Sequence, residues 1–425
     1  MKSTNIITTG FFIKIGSTNE TDETSGIAHY LEHLMFRGTA NRPENEIFRQ
    51  LDMIGAEYNA TTTMENTYYY LYGNSADTKK ILDITLDIYV NPSLDTKAIN
   101  KERKVIIEEM RMRSDMPYMK LYAAMHAKMF ASTPLEREII GTEENILGFK
   151  RQDFVKFRTE NYRPDNTVFV VTGNFNPGII YKMIHKALKS LKNPLDTESG
   201  TETESGAETS MDLPKTNKEI IHANMAKQTK PFVYLKQNNL IKQAYVLIAF
   251  PLFSMYEKYY REIDLLSHIL TSGLSSRLFM ALRTKKGITY TSTSHPFIYT
   301  EAGVFMIKAT MHPDEFIIGL KIILSELRKL KRNPVDKAEL KKVKNIMTNE
   351  TLFALTKPID YLTYFGLNFL EDREFKPDVE GGIAKLRKVK ATDIQKITKE
   401  IFVRSKLNIY LYGNITETDF DFIKL

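Results

Sequence analysis

One stretch of the chain occurs twice, and the repeat constrains the fold more than any other feature. Residues 153–174 and 393–414 align without a gap at a constant offset of 240. Asp153/Asp393, Lys156/Lys396, Glu160/Glu400, Gly173/Gly413 and Asn174/Asn414 are identical, and Phe154/Ile394, Phe157/Ile397, Tyr162/Phe402 and Val171/Leu411 stay apolar. Each copy reads as a helix running into a strand that stops at Gly-Asn. A second echo pairs Leu31-Glu32-His33 with Leu266-Ser267-His268, followed five residues later by Gly38 and Gly273. An internal duplication implies two related domains rather than one continuous sheet. Between the copies, Asp196–Ser210 reads DTESGTETESGAETS and holds no large apolar residue. Such a segment adds nothing to a core and reads as a flexible linker. The expected division is therefore a first domain over 1–192, an acidic linker over 193–229 and a second domain over 230–425.

The 425 residues suffice for two domains with separate cores. Strands are expected at Ile7–Ile15, Glu57–Thr62, Tyr68–Tyr72, Thr167–Thr172, Ala244–Phe250, Thr289–Ser294, Val304–Thr310 and Leu407–Tyr412. Helices are expected at Ile27–Arg37, Glu44–Met53, Lys79–Val90, Thr96–Met112, Met116–Met129, Arg261–Leu270, Ser275–Arg283, Asp314–Leu330 and Pro334–Ala354. The sequence over Thr61–Tyr70 suggests a hairpin, and no glycine-rich βαβ fingerprint is present. The fold class is α+β, with mostly antiparallel sheets packed against helices.

Composition narrows the chemistry. There is no cysteine, so thiolate metal sites, disulfides and cysteine nucleophiles are excluded. Any metal must use His and carboxylates, and only eight His exist. The net charge is +7, but the densest basic runs, Arg328–Arg332 and Lys337–Lys344, carry apolar residues at helical spacing. They read as solvated helix faces, and no nucleic-acid partner is expected. No membrane span, signal or transit segment is evident, so no membrane association and a cytoplasmic location are the expectations.

Residues 29–33 read His29-Tyr30-Leu31-Glu32-His33. On a helix, positions i and i+4 lie one above the other, so both imidazoles can reach one ion, and Glu32 at i+3 lies beside them. Thr24 or Ser25 can cap such a helix and Gly38 can end it. Two imidazoles and a third ligand leave one tetrahedral position open, as in a catalytic zinc site. Glu32 can then act as general base toward water. The motif is the reverse of the His-Glu-x-x-His pattern. For the third ligand, the segment Lys101–Met110 offers Glu102, Glu108 and Glu109. Glu102 and Glu109 are seven apart and share a helix face, while Glu108 is turned about 100° away. If that face meets the metal, Glu109 can ligate and Glu102 can accept the remaining ring N–H of a ligand His. Read alone, the segment is a charged solvent face.

Four motifs in order resemble the pitrilysin / mitochondrial processing peptidase family of zinc peptidases. They are Gly16-Ser17 with Gly26–Thr39; Glu102-Arg103-x-Val105-Ile106-x-x-Glu109; Asn59-Ala60-Thr61-Thr62; and Ser275–Arg283 with Gly287-Ile288-x-Tyr290. The resemblance implies two homologous α+β domains and one Zn2+ per chain on His29, His33 and Glu109. It further implies Glu32 as base, substrate pairing along Asn59 and Ala60, and Arg283 and Tyr290 acting from the second domain as donors to substrate. The implied activity is hydrolysis of extended peptides or unfolded segments. The alternative is a non-catalytic, peptide-binding or structural subunit. Only 28 residues precede His29, and the family's first strand with its Asn-Gly turn is not evident, which could expose a sheet edge. In the second copy Asp264, Ser267 and His268 stand where His29, Glu32 and His33 stand, so one active site per chain is expected. Small members of the family usually pair. This chain carries both the metal and the Arg/Tyr motifs, so a homodimer is the expected assembly.

Overall fold

The computed structural model describes residues 4–189, 227–252 and 259–415. The acidic run Asp196–Ser210 lies outside the described residues. The chain forms two compact units. One takes in the described residues of Met1–Arg111, Arg137–Lys215 and Leu355–Pro377; the other those of Met112–Glu136, Thr216–Ala354 and Asp378–Leu425. Each half of the sequence thus lends a helix to the other unit. Pro117–Met129 belongs with the second unit and Pro358–Glu371 with the first. No single cut in the 193–229 region separates the units.

The first unit holds an antiparallel sheet of order β2-β3-β1-β4, with β1 Ile6–Ile13, β2 Glu57–Thr62, β3 Thr67–Asn74 and β4 Thr167–Gly173. Every residue of β1 after Ile6 is buried, because both faces of this strand are covered. Ile7, Phe11 and Ile13 enter a core shared with the helices Ile27–Met35, Glu46–Met53 and Thr78–Val90. Phe12 on the opposite face packs with Val170, Leu362 and Leu370 under the helix Pro358–Glu371. That helix is tied down where Thr172 donates to the Pro358 carbonyl at 2.5 Å. It seats closely because residue 366 is glycine: a Cβ there would stand 2.3 Å from the Phe12 ring.

The second unit repeats this plan with one strand added. Its sheet runs β7-β8-β6-β9-β5, with β5 Phe232–Gln237, β6 Ala244–Leu252, β7 Thr289–Ile298, β8 Gly303–Met311 and β9 Asn408–Gly413. β5 pairs parallel with β9; the other pairs are antiparallel. The repeated residues do the same work in both units. Asp153 and Asp393 accept the backbone N–H of Lys150 and Lys390 at 2.7 and 2.8 Å, fixing the starts of the helices Arg151–Asn161 and Ala391–Ile401. Gly173 and Gly413 end β4 and β9 with φ of 105° and 148°, where a Cβ would fall within 2.1 Å of the Ile6 carbonyl and 2.3 Å of the Gln243 carbonyl.

The expected α+β class with two related sheet-and-helix units is what the chain adopts. Local expectations differ in places. The expected elements omit β5 and the helices Glu143–Gly148, Pro177–Leu188, Pro358–Glu371 and Val379–Lys388. The helix expected over Ser275–Arg283 is a π-helical segment, Phe279–Thr284. Asp314–Leu330 begins with a 3-10 turn, and its helix runs Phe316–Arg332.

A Gly366→Ala change should destabilise the protein by about 1–3 kcal/mol through overpacking against Phe12. Gly382, whose Cβ would meet nothing within 4 Å in the helix Val379–Lys388, should gain up to about 1 kcal/mol as alanine. Denaturant midpoints at constant slope measure both.

Candidate metal centre and active site

The helix Ile27–Met35 turns Ile27, Ala28, Tyr30, Leu31, Leu34 and Met35 into the core. Helical periodicity then leaves His29, Glu32 and His33 together on the remaining face. Its start differs from expectation: neither Thr24 nor Ser25 caps it. The N-cap is Gly26, in the left-handed region at φ 96°, where a Cβ would stand 2.7 Å from the Ile140 carbonyl. The exposed N–H groups of the first turn go to Glu20, whose carboxylate accepts from Gly26 at 2.9 Å and Ala28 at 2.8 Å. Glu20 is buried, and burial pushes its carboxyl up to about 7, against the opposing pull of the Gly26 and Ala28 amides and of Arg137.

The helix Thr96–Asp115 carries Glu109, the third residue of the candidate set, and is locked to the first. Tyr30 donates its hydroxyl to the Ile99 carbonyl at 2.5 Å, and Arg103 donates to the carbonyls of Ile146 and Phe149 at 3.0 and 2.6 Å. Glu109 Oε2 then lies 3.7 Å from both His29 Nε2 and His33 Nε2. One donor atom from each of His29, His33 and Glu109 lies within 4.8 Å of the other two. Among the described residues this is the only trio of His and acidic side chains so placed. Ligands of a tetrahedral zinc, at about 2.1 Å from the ion, stand about 3.4 Å apart. The two 3.7 Å separations at Glu109 are close to that spacing, and two imidazoles with one carboxylate are a donor set that zinc takes. Glu108 instead pairs with Arg111 at the surface.

Behind the trio, Glu102 is almost wholly buried. Its Oε2 stands 3.2 Å from His33 Nδ1, and its Oε1 accepts from Arg37 Nη2 at 2.6 Å. In neutral His33 this contact favours the proton on Nδ1, which keeps the Nε2 lone pair for a metal. Burial lowers the proton affinity of His33, but the hydrogen bond to Glu102 and the charges of Glu32, Glu102 and Glu109 outweigh it, and the net shift is upward. The Glu32 carboxylate, at the same face, is raised by burial and by Glu109, although a 2.5 Å hydrogen bond from Thr62 and the nearness of His33 oppose the shift. A raised carboxylate is suited to taking a proton.

Asn59 and Ala60 lie in β2, the outer strand of its sheet. Ala60 packs inward, while its N–H donates to Asn59 Oδ1 at 2.8 Å and so faces away from β3. In the second unit Arg283 and Tyr290 form a pair: the guanidinium lies over the Tyr290 ring at 4.5 Å and donates to the Tyr290 carbonyl at 3.2 Å. The Tyr290 side chain is exposed. The counterpart of the motif helix, Tyr260–Thr271, places His268 Nε2 2.9 Å from Glu350 and gives the Ser267 hydroxyl to the Ser294 carbonyl at 2.7 Å.

Sequence reading missed Glu20, Arg37 and Thr62 as parts of this site. Arg37 carries a weak signal, four residues beyond His33 and just past the end of the helix. Thr62 alternates with Ala60 along β2. Glu20 has no periodic relation to the helix that it caps.

Two family models match the chain: insulinase (peptidase family M16) over residues 1–143, and the peptidase M16 inactive domain over 148–347. The chain belongs to the M16 peptidase family. The sequence is 29% identical to an uncharacterised zinc protease of Rickettsia felis, over 92% of this chain and 88% of that one. It is 37% identical to the mitochondrial-processing peptidase subunit beta of Lentinula edodes, over 44% of this chain and 41% of that one. In fold it resembles a crystal structure of a protease from Helicobacter pylori, with a TM-score of 0.82, 24% identity, and coverage of 96% of this chain and 94% of that one.

Glu20 gives a pH signature. Its folded value of about 7 lies above the ordinary 4.5, so the folded state holds an extra proton between those limits. Its contribution is full below pH 4.5 and is lost as pH rises through 7, a change of about 3 kcal/mol. Glu20→Gln should flatten the stability–pH curve in that window relative to wild type, measured by urea unfolding from pH 4.5 to 8.

Proposed function

We propose that the protein is a zinc endopeptidase acting on extended peptides or unfolded segments. The observation that carries this reading is the convergence of His29, His33 and Glu109 beside the buried Glu32 carboxylate. Zinc in that trio supplies Lewis-acid polarisation of water and of the scissile carbonyl. The residues of the chain do the rest. Glu32 takes the proton of the attacking water and delivers it to the leaving amine. Glu102 keeps His33 in one tautomer. The open edge of β2 at Asn59 and Ala60 pairs with the substrate backbone as an added strand, which tolerates many side chains. Arg283 and Tyr290 are assigned as hydrogen-bond donors to substrate, Tyr290 toward the oxygen on which charge develops. A non-catalytic subunit has no use for a buried base beside a complete ligand set.

Glu32→Gln should keep one zinc per chain and lose about 10²-fold or more in kcat, because the amide cannot take a proton. Ala at His29, His33 or Glu109 should instead release the metal, read by elemental analysis after desalting. Wild-type cleavage by Glu32→Gln contradicts the assignment.

We also propose a homodimer, since the chain carries both the ligand set and the Arg/Tyr pair. Light scattering at micromolar protein should give twice the 49.1 kDa chain mass. A single-chain mass with full activity contradicts this.

A further inference from the structure

We infer that Thr62 is a positioning residue for the general base: its hydroxyl fixes one oxygen of the Glu32 carboxylate and refers the base to the strand that receives the substrate. The inference rests on the peptidase reading above.

A glutamate side chain on a helix has three rotatable bonds, and a carboxylate at a reaction centre needs one oxygen held so that the other can meet water. Thr62 Oγ1 donates to Glu32 Oε2 at 2.5 Å, which leaves Oε1 for the reacting proton. The hydroxyl can serve as a fixed reference only if the backbone carrying it is fixed, and here it is. Thr62 is the last residue of β2 and pairs with Thr67. The turn after it closes through Thr63 N–H to the Asn66 carbonyl at 2.8 Å, and Thr63 Oγ1 accepts from Asn66 N at 3.0 Å. A second segment clamps the turn from outside: Ser17 N–H donates to the Thr63 carbonyl at 3.2 Å, and Thr18 donates to the Met64 carbonyl through N–H at 2.8 Å and through Oγ1 at 2.7 Å. The approach requires glycine at residue 16, where a Cβ would stand 2.5 Å from the Thr63 and Met64 carbonyl oxygens.

The same strand carries Ala60, two residues earlier, whose N–H faces the open edge. A substrate strand added there and the base at Thr62 are thereby held to one rigid element. A shift of base against substrate by about 1 Å is worth about 10²-fold in rate. Loss of the hydroxyl should therefore act on kcat and leave substrate affinity alone.

Thr62→Val is nearly isosteric, keeps the β-branched strand character and removes only the donor. It should retain one zinc per chain by elemental analysis and wild-type chelator resistance, keep KM within about twofold, and lower kcat about 10- to 100-fold. Thr62→Ser should return kcat to within about threefold of wild type. Wild-type kcat in Thr62→Val overturns the inference. So does an equal loss in Thr62→Ser, or a loss of zinc by Thr62→Val that Thr62→Ser shares, since both would mark a packing role. Glu32→Gln assayed in parallel separates the two levels. No cleavage by the wild-type chain removes the peptidase reading itself and activity retained in Glu32→Gln removes the base assignment, whereas an inactive Glu32→Gln beside a fully active Thr62→Val removes only the role of Thr62.

Discussion

Two helices have to meet so that two imidazole nitrogens and one carboxylate oxygen face a common point, and the first unit is arranged around that demand. Groups of this kind are costly to bring together out of water unless each is held and compensated. The Tyr30–Ile99 hydrogen bond sets the approach of the helices Ile27–Met35 and Thr96–Asp115. Glu20 gathers amides at the start of the first helix, and Arg103 ties the second to the Ile146 and Phe149 carbonyls. Arg37 neutralises the buried Glu102, which in turn orients His33. Each of these contacts stands one step behind a ligand, and together they set the 3.7 Å separations at Glu109 Oε2.

The second unit shows what the same scaffold does without that demand. Sheet order, helix starts and strand-ending glycines repeat, yet the positions of His29, Glu32 and His33 hold Asp264, Ser267 and His268. There His268 meets Glu350 directly, and Ser267 serves only to bond the neighbouring strand. Burial raises the Asp264 carboxyl, and the nearby His268 opposes the shift. Chemistry here is a property of a few side chains placed on a common frame.

Much of this was legible in the sequence because it follows from local periodicity. The His-x-x-Glu-His spacing gives a helical face directly, and the alternating burial of β3 matches a strand's period of two. The repeat gave the equivalence of Asp153 with Asp393 and of Gly173 with Gly413. The face shared by Glu102 and Glu109, and the resemblance, pointed to Glu109 over Glu108 from the sequence. Other features depend on contacts between distant residues. Pro117–Met129 and Pro358–Glu371 occupy corresponding places in the two copies, each opening with proline, so an exchange of these helices between units leaves the linear pattern unchanged. β5 is half-exposed and has no alternation strong enough to mark it. Glu20 and Thr62 act through hydrogen bonds set by tertiary approach, which no sequence period encodes.

X-ray absorption at the zinc edge on the purified protein tests the central claim most directly. The account predicts one zinc per chain in a shell of nitrogen and oxygen at about 2.0–2.1 Å, with outer-shell scattering from two imidazoles. The zinc edge should be lost from desalted His33→Ala, which releases the metal. A chain that retains no zinc, or a zinc whose spectrum is the same in wild type and His33→Ala, would contradict it.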